Sequence, residues 1–210
     1  TPQTSPTSQT SQTFFSRANA KPILLAFAVA AFNQLDGING MLYFAKRVFE
    51  MAGLSPQVAL GMAAAMSVVL GVGTFFGLCL IDRLGRRMLL IVGSIGCILA
   101  HFLTAAAFVF DWGLLAAICI FPFILFFAMS QGVVIWVLIS EIFPQRFRAR
   151  GQSLGSFTHW FFCAVLTFVF PLMAAKWLPQ WIFAFFGTCV VLQLLWAIFV
   201  CPETKGRELK

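Results

Sequence analysis

Six long apolar runs, at about 22–44, 57–81, 88–110, 114–140, 153–175 and 180–201, alternate with short polar connections along this chain. A helix rises ~1.5 Å per residue, so about 20 apolar residues cross the ~30 Å hydrocarbon layer of a bilayer. Each run has that length, and the pattern predicts six spanning helices in an all-α integral membrane protein. Thr1 to Thr13 is different, holding only Thr, Pro, Gln and Ser. Such a tract cannot bury a core. Residues 1–21 are therefore expected to form a disordered Ser/Thr/Pro/Gln-rich segment, 22–201 a six-helix membrane unit, and 202–210 a short tail.

Composition sharpens this picture. The 210 residues are 60% hydrophobic and 10% charged, against about 25% charged in a soluble domain. The net charge of +7 raises the question of nucleic acid, but the basic residues sit in short clusters between apolar runs. No basic face interleaved with aromatics exists, and nucleic acid is excluded. Eleven of the 14 Lys and Arg lie before the first run or after the second, fourth and sixth: Arg17, Lys21, Arg83, Arg86, Arg87, Arg146, Arg148, Arg150, Lys205, Arg207 and Lys210. The other connections hold only Lys46, Arg47 and Lys176. The positive-inside rule then puts both termini in the cytoplasm, as for a protein of the plasma (inner) membrane. The six cysteines lie in or beside apolar runs without CxxC pairs or His at ligand spacing, which reads as packing rather than metal or redox chemistry. No nucleophile with a base, metal cluster or paired carboxylates stands near the membrane, so no enzyme is expected, and no cofactor or metal.

Within the first run the stretch FNQLDGING, Phe32 to Gly40, is polar where hydrocarbon is expected. Amides and acids at that depth are costly unless they face a cavity or a polar partner. On an ideal helix Asn33, Asp36, Gly40 and Tyr43 share an arc of roughly 80°, while Gln34 and Asn39 lie roughly 140° apart. Both amides reach one cavity only if the helix is interrupted, and Gly37 and Gly40 permit that. A glycine-interrupted span points to a transporter binding site near the midplane. The fourth run carries Phe127, Ser130, Gln131, Gly132 and Trp136, and the fifth Thr158, His159 and Trp160. Aromatics beside amides suit a ligand with C–H faces and hydroxyl rims, the chemistry of a sugar. In the second run Ala63, Ser67 and Gly71, and also Gly73 and Gly77, recur at four-residue spacing, which lets helix backbones approach closely.

Four motifs carry a resemblance: NQLDGIN (33–39), DRLGRR (82–87), FAMSQGVVIWVLISEIFPQRFRARG (127–151) and PETKG (202–206). In this order the chain resembles the C-terminal half of a sugar porter of the major facilitator superfamily, over Pro22 to Leu209. It looks closest to bacterial D-xylose/proton symporters and more distantly to animal glucose facilitators. The resemblance implies a six-helix C-terminal bundle of a twelve-helix fold, paired with an N-terminal six-helix half of the same transporter. It implies a monosaccharide, hexose or pentose, moved by alternating access as a sugar/proton symport; a facilitator without coupling and a transporter-like sugar sensor are the alternatives. Sugar contacts are implied at Gln34, Asn39, Tyr43, Phe127, Gly132, Trp136 and Trp160. Three further positions depart from the family at the same site: Asn33 for a Gln, Gln131 for a Trp, and His159 for a Gln or Asn. Leu70 stands where relatives carry a sugar-binding Asn.

The resemblance also implies that Asp82, Arg86, Arg87, Glu141 and Arg148 form salt bridges with the other half that close the cytoplasmic gate. Pairs made in one state and broken in the other bias a two-state equilibrium, as alternating access requires. Asp36 has no role in the resemblance. A carboxylate partly removed from water, with no Lys or Arg at its depth, is most simply neutralised by a proton. Asp36 is thus a candidate for proton coupling, the alternative being an ionised group in the outer vestibule.

Overall fold

The computed structural model describes residues 13–206, among which there are nine α-helices and no strand. They are α1 Ala20–Leu35, α2 Ile38–Tyr43, α3 Ala45–Met51, α4 Pro56–Leu84, α5 Arg86–Val109, α6 Gly113–Met129, α7 Gln131–Ile142, α8 Arg148–Lys176 and α9 Pro179–Phe199. Joined across their breaks, they make six helices long and apolar enough to cross a membrane, their ends close to those of the runs in the sequence except that the fifth begins earlier, at Gln145 rather than 153. Residues 1–12 of the expected disordered segment and 207–210 of the tail lie outside the described residues. Residues 14–19 differ from the expectation. Phe14 is buried, stacked 5.7 Å from the ring of Phe143 and edge-to-face 5.9 Å from that of Phe147. Asn19 pins the same stretch by donating from Nδ2 to the Phe14 carbonyl at 3.0 Å. An aromatic residue inside a polar tract found a cleft to fill.

The bundle packs α5 at its centre against α6 and α9, with α1 against α8 and α4 against α6. The glycines at 73 and 77 are buried where α4 meets α6; a Cβ on Gly73 would lie 2.9 Å from the Leu125 carbonyl oxygen. The other small-residue row does not pack this way, since Gly71 is open to its surroundings. Without a hydrophobic drive in lipid, such close van der Waals contact is what holds spans together.

Two apolar cores result. One gathers Met41, Phe49, Phe123, Phe170 and Phe186. The other, toward the arginine-rich end, gathers Leu89, Leu90, Val134, Leu138, Ile139 and Phe143. Between them runs a layer of buried polar groups, Asn33, Gln34, Asp36, Ser94, Ser130, Gln131 and Gln193, and His101 extends it into the first core. The first span breaks in this layer, where Gly37 adopts φ +90°, and so does the fourth, at Ser130. Gly37 also has no room for a side chain, because a Cβ would meet the Phe186 ring at 2.7 Å.

Candidate functional site

The break at Gly37 orients the amides. Helix α1 ends at Leu35, and α2 restarts at Ile38 on a different face. Gln34 and Asn39, far apart on a continuous helix, therefore meet: Asn39 Nδ2 donates to Gln34 Oε1 at 2.5 Å. Gln34 Nε2 donates in turn to Asn33 Oδ1 at 3.0 Å, and Asn33 Nδ2 to the Gln131 backbone carbonyl at 3.3 Å. The same Gln34 Nε2 lies 3.1 Å from Nδ1 and 3.3 Å from Nε2 of His159 on α8. The imidazole stands between two indoles, 5.0 Å from the ring of Trp136 and 5.2 Å from that of Trp160.

These groups surround a cavity of about 250 Å³. Asn33, Gln34, Asn39, Phe127, Gly132, Trp136, His159 and Trp160 line it, as do Leu70 and Thr74 from α4. Thr74 was not legible as a lining residue, and its hydroxyl donates to the carbonyl of Leu70 at 2.9 Å. Two expected site residues are elsewhere. Tyr43 lies beyond the lining with 56% of its surface exposed, within 4.0 Å of Cys163 Sγ. The Gln131 side chain is buried with Nε2 unpartnered, and only its backbone carbonyl joins the amide chain.

Asp36 corrects the helical-wheel reading. It is buried and does not line the cavity, so it belongs neither to a polar stripe facing ligand nor to a water-filled vestibule. Asp36 itself still continues α1, its amide donating to the Phe32 carbonyl, and the break at Gly37 redirects only the residues after it. Gly40, in the same projected arc, instead faces Phe170, whose ring a Cβ would meet at 2.5 Å. Asp36 Oδ1 accepts from the Ile38 amide at 3.3 Å, and Oδ2 has no partner. The Asp36 carbonyl faces His101 Nε2 on α5 at 3.0 Å. His101 is buried among Phe123, Phe183 and Phe186 and carried no signal in the sequence.

At the arginine-rich end three of the five expected gate residues meet within this chain. Arg86 forms a fork on Glu141, Nη2 to Oε1 at 2.8 Å and Nε to Oε2 at 3.0 Å, and Nη1 reaches Asp82 at 2.9 Å. Arg87 does not join them; its guanidinium donates to the Ala197 and Ile198 carbonyls at the end of α9. Such cationic capping of a helix C-terminus is favourable. Arg148 has its Nε buried without a partner. Two tail residues complete the cluster. Thr204 Oγ1 donates to Glu141 at 2.6 Å. Glu203 accepts from the backbone amides of Arg86, Arg87, Thr204 and Lys205 at 2.9–3.1 Å, sitting at the N-terminus of α5. Burial pushes the Glu203 carboxyl up, but those four amides together outweigh it and hold it below its ordinary value. Among the described residues no cluster of His, Cys, Asp and Glu could hold a metal ion, and all six cysteines are free.

The family profile described as "Sugar (and other) transporter" matches residues 2–210. The chain belongs to the sugar transporter family. Its members are membrane porters rather than enzymes. A D-xylose-proton symporter-like protein of Arabidopsis thaliana is 34% identical over 202 residues, covering 93% of this chain and 36% of that protein. A facilitated trehalose transporter homolog of Drosophila sechellia is 30% identical over 204 residues, covering 93% and 42%. Among solved structures, the E. coli proton:xylose symporter XylE bound to 6-bromo-6-deoxy-D-glucose matches with a TM-score of 0.81. That match has 30% identity and covers 89% of this chain and 41% of that one. The fold is thus the six-helix half of a major facilitator transporter, and the chain spans about two fifths of the length of these relatives.

Proposed function

We propose that this chain is the C-terminal half of a plasma-membrane monosaccharide transporter that works by alternating access and is coupled to protons. Both termini lie in the cytoplasm in this reading, and an N-terminal half supplies the facing wall of the cavity. The observation that carries it is the pair of amides, Gln34 and Asn39, brought together across the Gly37 break and flanked by Trp136 and Trp160. Uncharged donors and acceptors matched to hydroxyls, with indole faces for C–H surfaces, suit a pyranose. The cavity, about 250 Å³, falls just below the ~300–1,000 Å³ of drug-sized sites, which fits one sugar ring. Names among the relatives and neighbours, a D-xylose-proton symporter and a xylose symporter holding a glucose derivative, support pentose or hexose. Gln131 and Tyr43 enter the site in this proposal only when the halves rearrange.

The Arg86–Glu141–Asp82 cluster serves as the inner gate, made in one access state and loosened in the other. Asp36 carries the coupling proton: a buried carboxylate with an unpartnered oxygen and no cation among its bonded neighbours needs neutralising. Facilitated transport without protons is a second reading, and one observation favours it: no Asp or Glu lines the cavity. Uptake of labelled D-xylose and D-glucose by the complete transporter tests the whole. Saturable uptake that Asp36→Asn converts from uphill to downhill supports the symport. Uptake that never exceeds equilibrium, in wild type as in the variant, supports the facilitator. Binding without uptake points to a sensor, and absence of binding for every pentose and hexose overturns the proposal.

A further inference from the structure

The cavity amides form a chain with one direction of donation. Its anchor is the Gln131 backbone carbonyl, which only accepts, and it accepts from Asn33 Nδ2. Asn33 Oδ1 must then face Gln34, and it accepts from Gln34 Nε2. Gln34 Oε1 is thereby left to accept from Asn39 Nδ2. Each amide has one donating and one accepting end, so flipping any of the three sets donor against donor or acceptor against acceptor. His159 meets this chain at Gln34 Nε2, with both ring nitrogens within 3.3 Å of it. A neutral imidazole keeps one bare nitrogen to accept from that NH₂ group, whichever tautomer is present. An imidazolium has two N–H groups and nothing to accept with.

We propose that His159 is a positioning residue whose protonation state sets the orientation of Gln34, and through it the affinity of the cavity for sugar. The neutral ring holds the Gln34 NH₂ group toward α8 and its oxygen toward Asn39. On proton uptake at the bare nitrogen, the Gln34 amide must flip or withdraw. A flip leaves Asn39 Nδ2 facing an NH₂ group and Asn33 Oδ1 facing an oxygen, so the whole chain loses its polarity. Among the described residues no charged side chain lines the cavity to offset this. On α2 and α8 the nearby titratable groups are Tyr43 and Cys163, 4.0 Å from each other. From α4, α6 and α7 the cavity receives only Leu70, Thr74, Phe127, Ala128, Gly132 and Trp136, none ionisable near neutral pH. Asp36 of α1 is off the lining, its carbonyl turned to His101.

The inference rests on the reading of this cavity as a sugar site, and its test separates the two. Affinity of the complete transporter for D-xylose and D-glucose is read from tryptophan fluorescence between about pH 8 and about pH 5, the range over which histidine changes charge. The wild type is expected to weaken by about tenfold per pH unit once the ring titrates. His159→Phe, with no acceptor, is expected to bind weakly at every pH. His159→Gln offers an amide oxygen in place of the bare nitrogen and should restore binding relative to the Phe variant, without the slope. Nitrogen-15 NMR of histidine-labelled protein should show a bare ring nitrogen at about pH 8, absent from the His159→Gln spectrum and lost on acidification. Intact binding with an unchanged slope in His159→Gln, or a wild type with no slope, overturns the positioning role alone. A ring protonated on both nitrogens at about pH 8 overturns it as well. No sugar binding in any variant at any pH removes the sugar site and this inference with it.

Discussion

The arginine-rich end and the polar layer at the level of Gly37 satisfy their polar groups in opposite ways. At the arginine-rich end the carboxylates are saturated, although Arg148 Nε stays without a partner: Glu141 takes Arg86 twice and Thr204 once, and Glu203 takes four backbone amides. In the polar layer the groups that line the cavity are neutral, and several buried atoms stay unmatched, among them Asp36 Oδ2, His101 Nδ1, Gln131 Nε2 and Gln193 Oε1. Saturated charge makes a rigid closure that one lost partner undoes. Unmatched neutral groups leave hydrogen-bonding capacity that a ligand or a moving helix can use, at a cost of about 1–3 kcal/mol for each group left buried and unsatisfied.

The comparison breaks most sharply at Glu141. Its side chain is 18% exposed and that of Arg86 10%, so Glu141→Ala leaves a nearly buried guanidinium with the exposed Asp82 as its remaining carboxylate and should cost about 3 kcal/mol. Thermal unfolding in detergent measures that, and cysteine labelling from each side should find the inner face more open. Arg87→Ala, which removes only a cap on α9, should leave the labelling pattern unchanged; equal effects of the two would dissolve the distinction between gate and cap.

Next is Gly37→Ala. The substitution forces a side chain into φ +90° and against Phe186, at about 2 kcal/mol. It should lower the unfolding temperature and misalign Gln34 with Asn39. Gly71→Ala is the control, since nothing lies within 4 Å of its Cβ, and its unfolding temperature should match the wild type. A third substitution, Gln34→Ala, removes hydrogen bonds worth about 0.5–1.5 kcal/mol each. Sugar affinity measured by fluorescence should fall about tenfold with the gate labelling unaltered. Unchanged affinity would detach the amide chain from binding.

The smallest effect is electrostatic. Because Glu203 is held below its ordinary value in the fold, the folded state binds fewer protons than the unfolded one. Its stabilisation is present above the unfolded-state value of about 4.3 and is lost as pH falls through the lower folded value. Unfolding followed down to about pH 3 should show this loss in the wild type and less of it in Glu203→Gln. Identical acid sensitivity would mean the four amides do not favour the ionised form.

Much of this molecule follows from the chain read in one dimension. Spans need about 20 apolar residues whatever their neighbours, so all six were legible, and only the fifth began well before its apolar run, in the polar turn at Gln145. The interruption was legible too, because a glycine pair among amides at mid-span has few other uses. The motifs carried the family without any contact being known. What the linear pattern could not reach was direction. A helical wheel assumes continuity, and one residue at φ +90° brought Gln34 and Asn39 together, while packing against other helices took Asp36 off the cavity wall. The pairing of Arg86 with Glu141, the capture of Glu203 by α5 and the seating of Phe14 on Phe143 join residues 55, 117 and 129 positions apart. Local spacing holds no information about partners that meet only when distant helices pack. The placement of Arg87 on α9 and of His101 behind Asp36 came from the tertiary structure alone, because a cation or an imidazole takes whichever acceptor the fold brings within ~3 Å.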